Sequence, residues 1–479
     1  MDRDAFRRHG HALVEWIATY LDHPERYPVL SRVDPGAVRN ALPSSPPDNG
    51  ASFDEIFEDF ERVIMPGITH WNHPGFFAYF AISGSAPGVL AEFLTAALNV
   101  QAMLWRTSPA ATELEEVTLG WLRQLLALPE SFEGVIYDTA SIASLHALAA
   151  ARHAALPSVQ RKGLAGRTDV GCLRVYASEQ AHSSIDKAVM LLGLGQEALA
   201  KIPVDTEFRM RPDALRLAIE SDRAAGVTPL AVVATVGTTS TTSVDPVGAL
   251  VAACESERVW LHVDAAYAGA AAIVPETAFV MDGCAQADSI VVNPHKWLFT
   301  PFDLSAFYCR RMDIVRDAFS LIPDYLRTTE TGSVRNLMDT GIQLGRRFRA
   351  LKLWTVLRHF GASGIRDRLA EHLRLARLFA RWVDESPDFE RLAPVPLSVV
   401  CFRALPAAGS PSGPALDALN QRLLDAVNAS GDVFLSHTRI DGRFALRLAV
   451  GHIRTTEEHV ARAWELLHQR LTGLTHEHV

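Results

Sequence analysis

The chain has 479 residues, with 46 Lys plus Arg against 55 Asp plus Glu and a formal charge of −9, which weighs against nucleic acid as its main partner. Hydrophobic residues make up 48% and charged residues 21%, a globular balance that excludes a largely disordered chain; the length predicts several domains, or one large domain with attachments. No window of about 20 uncharged apolar residues exists, which argues against a membrane span, and Cys172, Cys254, Cys284, Cys309 and Cys401 form no CxxC pair, so a reducing cytoplasm is the expected setting.

Met1-Asp2-Arg3-Asp4 has no apolar stretch behind it, so no secretory signal is expected. Residues 1–84 read as a helical segment. Ser52-Phe53-Asp54-Glu55 is a capping box, in which the Ser hydroxyl accepts from a backbone N–H three residues on and the Glu reaches back. Phe53, Ile56, Phe57, Phe60, Val63 and Ile64 follow at helical spacing. This face has no evident local partner, so it is expected to dock on the main body or on a second chain. Leu42-Pro43-Ser44-Ser45-Pro46-Pro47 before it is a linker by composition.

Over 85–357 short apolar runs alternate with amphipathic helices. Strands are expected at Gly134–Tyr137, Leu173–Tyr176, Leu230–Thr235, Val259–Val263 and Ser289–Val292, with helices through Leu145, from Ser183 and from Pro246. Such alternation predicts an α/β fold with a mostly parallel sheet covered on both faces. Over 358–479 the pattern is α+β, with strands at Ser398–Phe402 and Phe444–Leu448 and a last helix capped by Thr455-Thr456-Glu457-Glu458.

Four features fall just beyond expected strands, where open α/β sheets bind ligands. Lys296, in Asn293-Pro294-His295-Lys296-Trp297, is placed to act as an amine nucleophile for Schiff-base chemistry when partly desolvated. Asp264 ends its strand, and His182 and Thr139-Ala140-Ser141 sit between strand and helix. Alone, each admits a plainer reading: a surface lysine, a turn aspartate, a structural histidine, an N-cap. Four at one sheet edge suit pyridoxal 5′-phosphate. Lys296 would take its aldehyde, and Asp264 would keep its pyridine nitrogen protonated. His182 would stack on one ring face with Ala266 under the other, and Thr139, Ala140, Ser141, Asn293 and His295 would surround the phosphate. No metal is expected.

With these motifs in view the sequence resembles the group II pyridoxal-phosphate decarboxylases, in the branch of aromatic-L-amino-acid decarboxylases. The resemblance is carried by His70-Trp71 with Pro74 and Phe76 to Phe80, by Ser108-Pro109 with Thr112 to Glu115, and by Gln180 to Ser184. Leu261 to Gly269, Asn293 to Trp297 and Leu344-Gly345-Arg346-Arg347-Phe348 complete it. It implies fold type I, with a helical N-terminal dimerisation segment 1–84, a large cofactor-binding domain 85–357 and a small C-terminal domain 358–479. It also implies an obligate homodimer and α-decarboxylation of an aromatic L-amino acid. It assigns Lys296, Asp264, His182, Thr239, Asn293 and His295 to the cofactor, and makes Tyr325 the proton donor to Cα on a polar loop. Met103 would cap the neighbouring chain's pocket and Gly345 would lie on the pocket wall. Trp71, Phe76, Phe77, Tyr79 and Phe80 are candidates for an aromatic pocket, with core packing the reading for Phe76 and Phe77.

Some residues depart from the family's pattern: Ala81-Ile82 stands where many relatives have Pro-Thr, and Asp138 replaces a common Gly. An aldehyde synthase on the same scaffold is the nearest alternative, but Tyr325 and His182 are both present. Gly193-Leu194-Gly195-Gln196-Glu197-Ala198 matches a dinucleotide fingerprint in the wrong context, after a helix and before a strand.

Overall fold

The computed structural model describes residues 1–321, 334–405 and 413–476. It divides into two compact units. One comprises Met1–Ala81, Leu378–Leu392 and Cys401–Val479, and the other comprises Ile82–Arg377 and Ala393–Val400. This division cuts across the three consecutive segments expected from the sequence, because residues 1–81 and the C-terminal strands share one unit.

The Ile82–Arg377 unit is built on a seven-stranded sheet of order β1-β7-β6-β5-β4-β2-β3. Its strands are β1 (Glu133–Tyr137), β2 (Leu173–Ser178), β3 (Leu199–Ile202), β4 (Thr228–Thr235), β5 (Trp260–Asp264), β6 (Ser289–Val292) and β7 (Ser305–Cys309). β2 to β6 pair in parallel. β7 runs against both neighbours, β6 and β1. β1 therefore points the same way as β2 to β6, and six strands end at one edge. The central strands are buried along their length: every residue of β5, β6 and β7 is buried. That matches their continuous apolar runs, the signature of strands covered on both faces. β7 escapes the sequence reading, and β3 enters it only as the strand without bounds that follows Gly193–Ala198. β3 is four residues with a Lys in it, and β7 returns antiparallel without the crossover helix that marks its neighbours.

Two glycines let the carboxyl edge pack tightly. Gly237, after β4, has φ +88, and a Cβ there would sit 2.5 Å from the Ala268 Cβ; one on Gly269 would sit 2.6 Å from Val292. The Gly193–Ala198 stretch lies between the helix Ser184–Leu191 and β3, which is the wrong context for a dinucleotide fingerprint.

β8 (Phe389–Arg391), β9 (Val399–Ala404, in the other unit from Cys401 on), β10 (Ser436–Ile440) and β11 (Arg443–Ala449) form a sheet of order β10-β11-β9-β8. The capping box forms as expected: the Glu55 N–H donates to Ser52 Oγ at 3.2 Å, and the Ser52 N–H donates to Glu55 Oε2 at 2.7 Å. The expectation that this helix lacks a local partner is corrected. The helix Arg3–Asp22 supplies one: Trp16 meets Phe57 and Phe60 edge-on at 6.0 and 5.4 Å and donates from Nε1 to Glu61 at 3.0 Å. Phe76 and Phe77 are fully buried, which is the core reading. The Phe77 N–H donates to the Phe434 carbonyl and the Ala449 N–H to that of Phe77, both at 2.9 Å, stitching this stretch to the C-terminal strands. Among the described residues no helix is long and apolar enough to cross a membrane.

A buried ion pair fixes the β1 side of the large sheet. Arg346 donates from Nη2 to Glu115 Oε1 and to the Ile136 carbonyl, each at 2.8 Å, and Glu115 Oε1 also accepts the Ile136 N–H at 2.8 Å. Both side chains are nearly inaccessible, at 6% and 3%. Removing one partner of such a pair strands a buried charge, at a cost of about 3–5 kcal/mol. Glu115→Ala is therefore expected to lower the urea midpoint sharply. Glu115→Gln, which keeps an acceptor, is expected to lose less. Equal midpoints for Glu115→Ala and wild type would contradict this.

Candidate functional site

Asp264 is the last residue of β5, in register with Thr235 of β4 and Val291 of β6. Its backbone carbonyl accepts the Val236 N–H at 2.8 Å and its Oδ1 the Ala266 N–H at 3.1 Å, which anchors the turn after the strand. Lys296 follows β6 in the short helix Pro294–Trp297. It is half-buried, and its N–H donates to the Asn293 carbonyl at 2.9 Å. His182 lies in the turn after β2, with Nδ1 accepting the Ser184 N–H at 3.1 Å. Burial pushes its pKa below the ordinary histidine value; Asp264 opposes that shift and Lys296 adds to it. The three groups thus lie within electrostatic reach of one another at the carboxyl edge.

Neighbouring polar groups are held firmly. Asn293 Oδ1 accepts from Ser305 Oγ at 2.6 Å. His295 Nδ1 accepts the Leu304 N–H at 2.9 Å, and burial pushes the ring down to about 3, so it is a neutral donor through Nε2. Thr139 is the N-cap of the helix Ala140–Ala155; its N–H and hydroxyl both turn to Asp138 Oδ1, at 2.5 and 3.1 Å. Asp138 Oδ2 accepts from Gln343 Nε2 at 3.1 Å. Ala140 and Ala266 are buried, whereas Ser141 and Thr239 are exposed.

Of the expected substrate residues, Trp71, Tyr79 and Phe80 belong to the Met1–Ala81 unit and Met103 and Gly345 to the other. Trp71 stacks on Phe76 at 4.4 Å and on Tyr79 at 5.7 Å, and the Arg447 guanidinium covers the Phe80 ring at 4.7 Å. The Met103 carbonyl accepts the Met338 N–H at 3.0 Å, while a Cβ on Gly345 would meet the Gln101 amide nitrogen at 3.2 Å. Tyr325 lies outside the described residues.

A model of the pyridoxal-dependent decarboxylase conserved domain matches residues 35–405. The chain belongs to the pyridoxal-dependent decarboxylase family. Within it, the chain falls in group II, beside the aromatic amino acid decarboxylases. It is 40% identical to phenylacetaldehyde synthase of Arabidopsis thaliana, over 100% of this chain and 98% of that one. It is 39% identical to tyrosine decarboxylase of Papaver somniferum, over 99% and 96%. The crystal structure of Oryza sativa TDC with PLP and tryptamine superposes with a TM-score of 0.95, at 37% identity, over 99% of each chain.

The cofactor of this decarboxylase is pyridoxal 5′-phosphate. The donor set at the carboxyl edge suits it: a half-buried amine, a buried carboxylate, an imidazole between them in charge, and a helix N-terminus with hydroxyl and neutral imidazole donors nearby. Asp138 is the one discordant group, since its carboxylate engages the Thr139 hydroxyl.

Sequence reading missed the bracing around these residues. His262 precedes Asp264 by two and so shares its face of β5. It is fully buried, with Nε2 at 3.0 Å from Ser144 Oγ and Nδ1 at 2.9 Å from Ser289 Oγ. Its signal was a polar residue alternating with Asp264 inside a buried strand. Trp297, next to Lys296, stacks on Tyr267 at 4.7 Å and donates to His372 Nδ1 at 2.9 Å. This ties the turn after β5 to the turn after β6.

Burial sets a pH dependence. His262 falls from 6.5 to about 4, so below about pH 6.5 the unfolded chain takes a proton that the folded ring refuses. Stability is intact above that pH and is lost as pH falls toward 4. His146, at about 4, and His295, at about 3, act in the same sense. Asp245, raised to about 6, acts oppositely between about pH 6 and 4. The melting temperature is expected to fall between pH 6.5 and 4.5, and His262→Gln to reduce proton uptake on unfolding at pH 5.5 by up to one proton. Uptake unchanged in that variant would refute the assignment.

Proposed function

We propose that this protein catalyses α-decarboxylation of an aromatic L-amino acid, of the tryptophan, DOPA, tyrosine or phenylalanine type, to the amine and carbon dioxide. The observation that carries the proposal is the convergence of Lys296, Asp264 and His182 at the carboxyl edge of the large sheet. Names among the relatives support the substrate class: tyrosine and tryptophan decarboxylases recur among them.

In this reading Lys296 supplies the amine that holds the cofactor aldehyde and later releases the product. Asp264 pairs with the pyridine nitrogen, favouring its charged form. His182 and Ala266 bound the ring on its two faces. Thr139, Ala140, Ser141, Thr239, Asn293 and His295 surround the remaining oxygens. When bound, pyridoxal phosphate supplies the electron sink for the bond that breaks. Met103 and Gly345, both in the Ile82–Arg377 unit, contribute to the aromatic side of the substrate site. The experiment that tests the whole is a panel of L-amino acids incubated with purified protein, with amine, aldehyde and carbon dioxide quantified. Glutamate or histidine as the best substrate would sink the aromatic assignment.

Asp264→Ala is expected to cut kcat by about 10–1000-fold with the circular dichroism spectrum preserved. This holds if half or more of the roughly 3–5 kcal/mol of a desolvated ion pair appears in the barrier. A variant within twofold of wild type would rule out pairing with the ring.

Phenylacetaldehyde synthase names among the relatives favour a second reading, oxidative decarboxylation to the aldehyde. That reaction consumes oxygen and water and releases carbon dioxide, ammonia and hydrogen peroxide along with the aldehyde. Tyr325 and His182 argue for the simple decarboxylation, with Tyr325 delivering the proton to Cα. Tyr325→Phe keeps the ring and removes that proton, so amine output is expected to drop while aldehyde and peroxide rise. Undiminished amine with no aldehyde would place the donor elsewhere, with His182 next in line.

The same reading makes the protein a cytoplasmic homodimer. Five free thiols suit a reducing compartment. The helix Ala86–Leu98 leaves Leu90, Phe93, Leu94 and Leu98 exposed along one stripe, an apolar face that a second copy would cover. Sedimentation is expected to give a dimer at assay concentration. An active monomer would contradict it.

A further inference from the structure

The unit containing Met1–Ala81 and the C-terminal strands holds a cavity of about 340 Å³. That is at the small end of ligand pockets, which run roughly 300–1,000 Å³. None of its lining residues takes part in the proposed decarboxylation.

Arg454 lines the cavity, half-buried. Its guanidinium makes one side-chain bond among the described residues, from Nη2 to the Asn72 carbonyl at 3.1 Å, and no carboxylate there comes within ion-pair distance. Burial pushes its pKa down while Asp22, Tyr20 and Glu25 pull the other way. A partly desolvated cation with no counter-charge in contact is a docking point for an anion.

Two imidazoles share the cavity. His73 is only 5% exposed, and its Nδ1 accepts the Gly75 N–H at 2.9 Å. His459 Nδ1 accepts the Thr456 N–H at 3.2 Å. An accepting Nδ1 puts the ring proton on Nε2. Among the described residues neither Nε2 has a partner, so each ring offers a neutral donor beside Arg454.

The Asp22 and Glu25 carboxylates stand in the same cavity, Glu25 with Oε1 at 3.1 Å from His23 Nδ1, and Asp432 is held by Arg462 at 2.8 Å. A bare polyanion would meet these carboxylates unfavourably, whereas a molecule with an ammonium beside its carboxylate satisfies both signs. Tyr27, Pro24 and Pro74 complete the wall with apolar surface. We propose that this cavity binds the zwitterion of an α-amino acid with an apolar or aromatic side chain. Its carboxylate sits on Arg454 and the Nε2–H groups of His73 and His459, its ammonium faces Asp22 and Glu25, and its side chain lies against Tyr27 and the prolines. Asn72 and His73 adjoin Trp71, so an occupant would bear on the backbone that carries the stacked aromatic residues.

The test is equilibrium dialysis of labelled L-phenylalanine against the holoenzyme after borohydride treatment. A fixed chromophore reports on the decarboxylase reading. Binding that depends on Arg454 is read whether or not that chromophore forms, so the two failures are distinguishable. About one equivalent per chain is expected. Arg454→Gln should weaken binding by about tenfold or more, the scale of losing one partner of a charged contact. Asp22→Asn, at an exposed position that tolerates change, should weaken L-phenylalanine while leaving 3-phenylpropionate unaffected, and it carries the test if Arg454→Gln fails to fold. No binding at millimolar ligand, or undiminished binding in both variants, overturns the proposal. So does displacement by inorganic phosphate or 3-phenylpropionate as effective as by unlabelled L-phenylalanine.

Discussion

Parallel pairing of β5 with β6 is the constraint on which the site depends. Asp264 ends β5 opposite Val291, one residue short of the end of β6, and Lys296 follows four residues after that strand. Two neighbouring strands that run the same way deliver a carboxylate and an amine to one edge without any long-range adjustment. Had β6 run antiparallel, as β7 does, the lysine would sit at the opposite end of the sheet. The antiparallel β7 serves a different end: it lets β1 rejoin the common direction and brings Thr139 to the same edge.

A charged and polar site in a buried sheet requires bracing, and here the braces are neutral or paired. His262 bridges Ser144 and Ser289 beneath Asp264, and burial keeps the ring uncharged at neutral pH. Asp245 accepts the Thr235 and Met210 N–H groups, at 2.8 and 2.7 Å, and so closes the loop after β4. Arg346 with Glu115 holds β1 and the backbone at Ile136. Asp245 and the Arg346–Glu115 pair satisfy backbone groups and His262 two serine hydroxyls, which is why single removals are costly. The same economy explains the neutral His295: an imidazole so close to Lys296 gains nothing from a second positive charge.

The other unit treats its polar groups differently. Around Arg454, His73 and His459 the donors are oriented but not saturated, and nearby carboxylates turn to other partners, Glu25 to His23 and Asp432 to Arg462. That contrast with the fully engaged braces of the large sheet is what marks this cavity as a place for a ligand.

Much of the site was legible in the chain because local chemistry encodes it. Strand, then Asp264; strand, then Lys296; strand, then His182: continuous apolar runs fix the strands, and the residues just past their ends must fall at the sheet edge. The capping box at Ser52 was equally local, four residues long. The sequence could not say which helix covers the face behind that box. Trp16 lies about forty residues away in the chain, and only folding brings it there. Nor could it pair Arg346 with Glu115, which are 231 residues apart, or show that His262 reaches serines on a helix and a neighbouring strand. Periodicity and capping act over a few residues and can be read in order. Strand order, the reversed β7, the joining of residues 1–81 to the C-terminal strands and the partners of buried charges depend on long-range packing, which no short stretch of sequence contains.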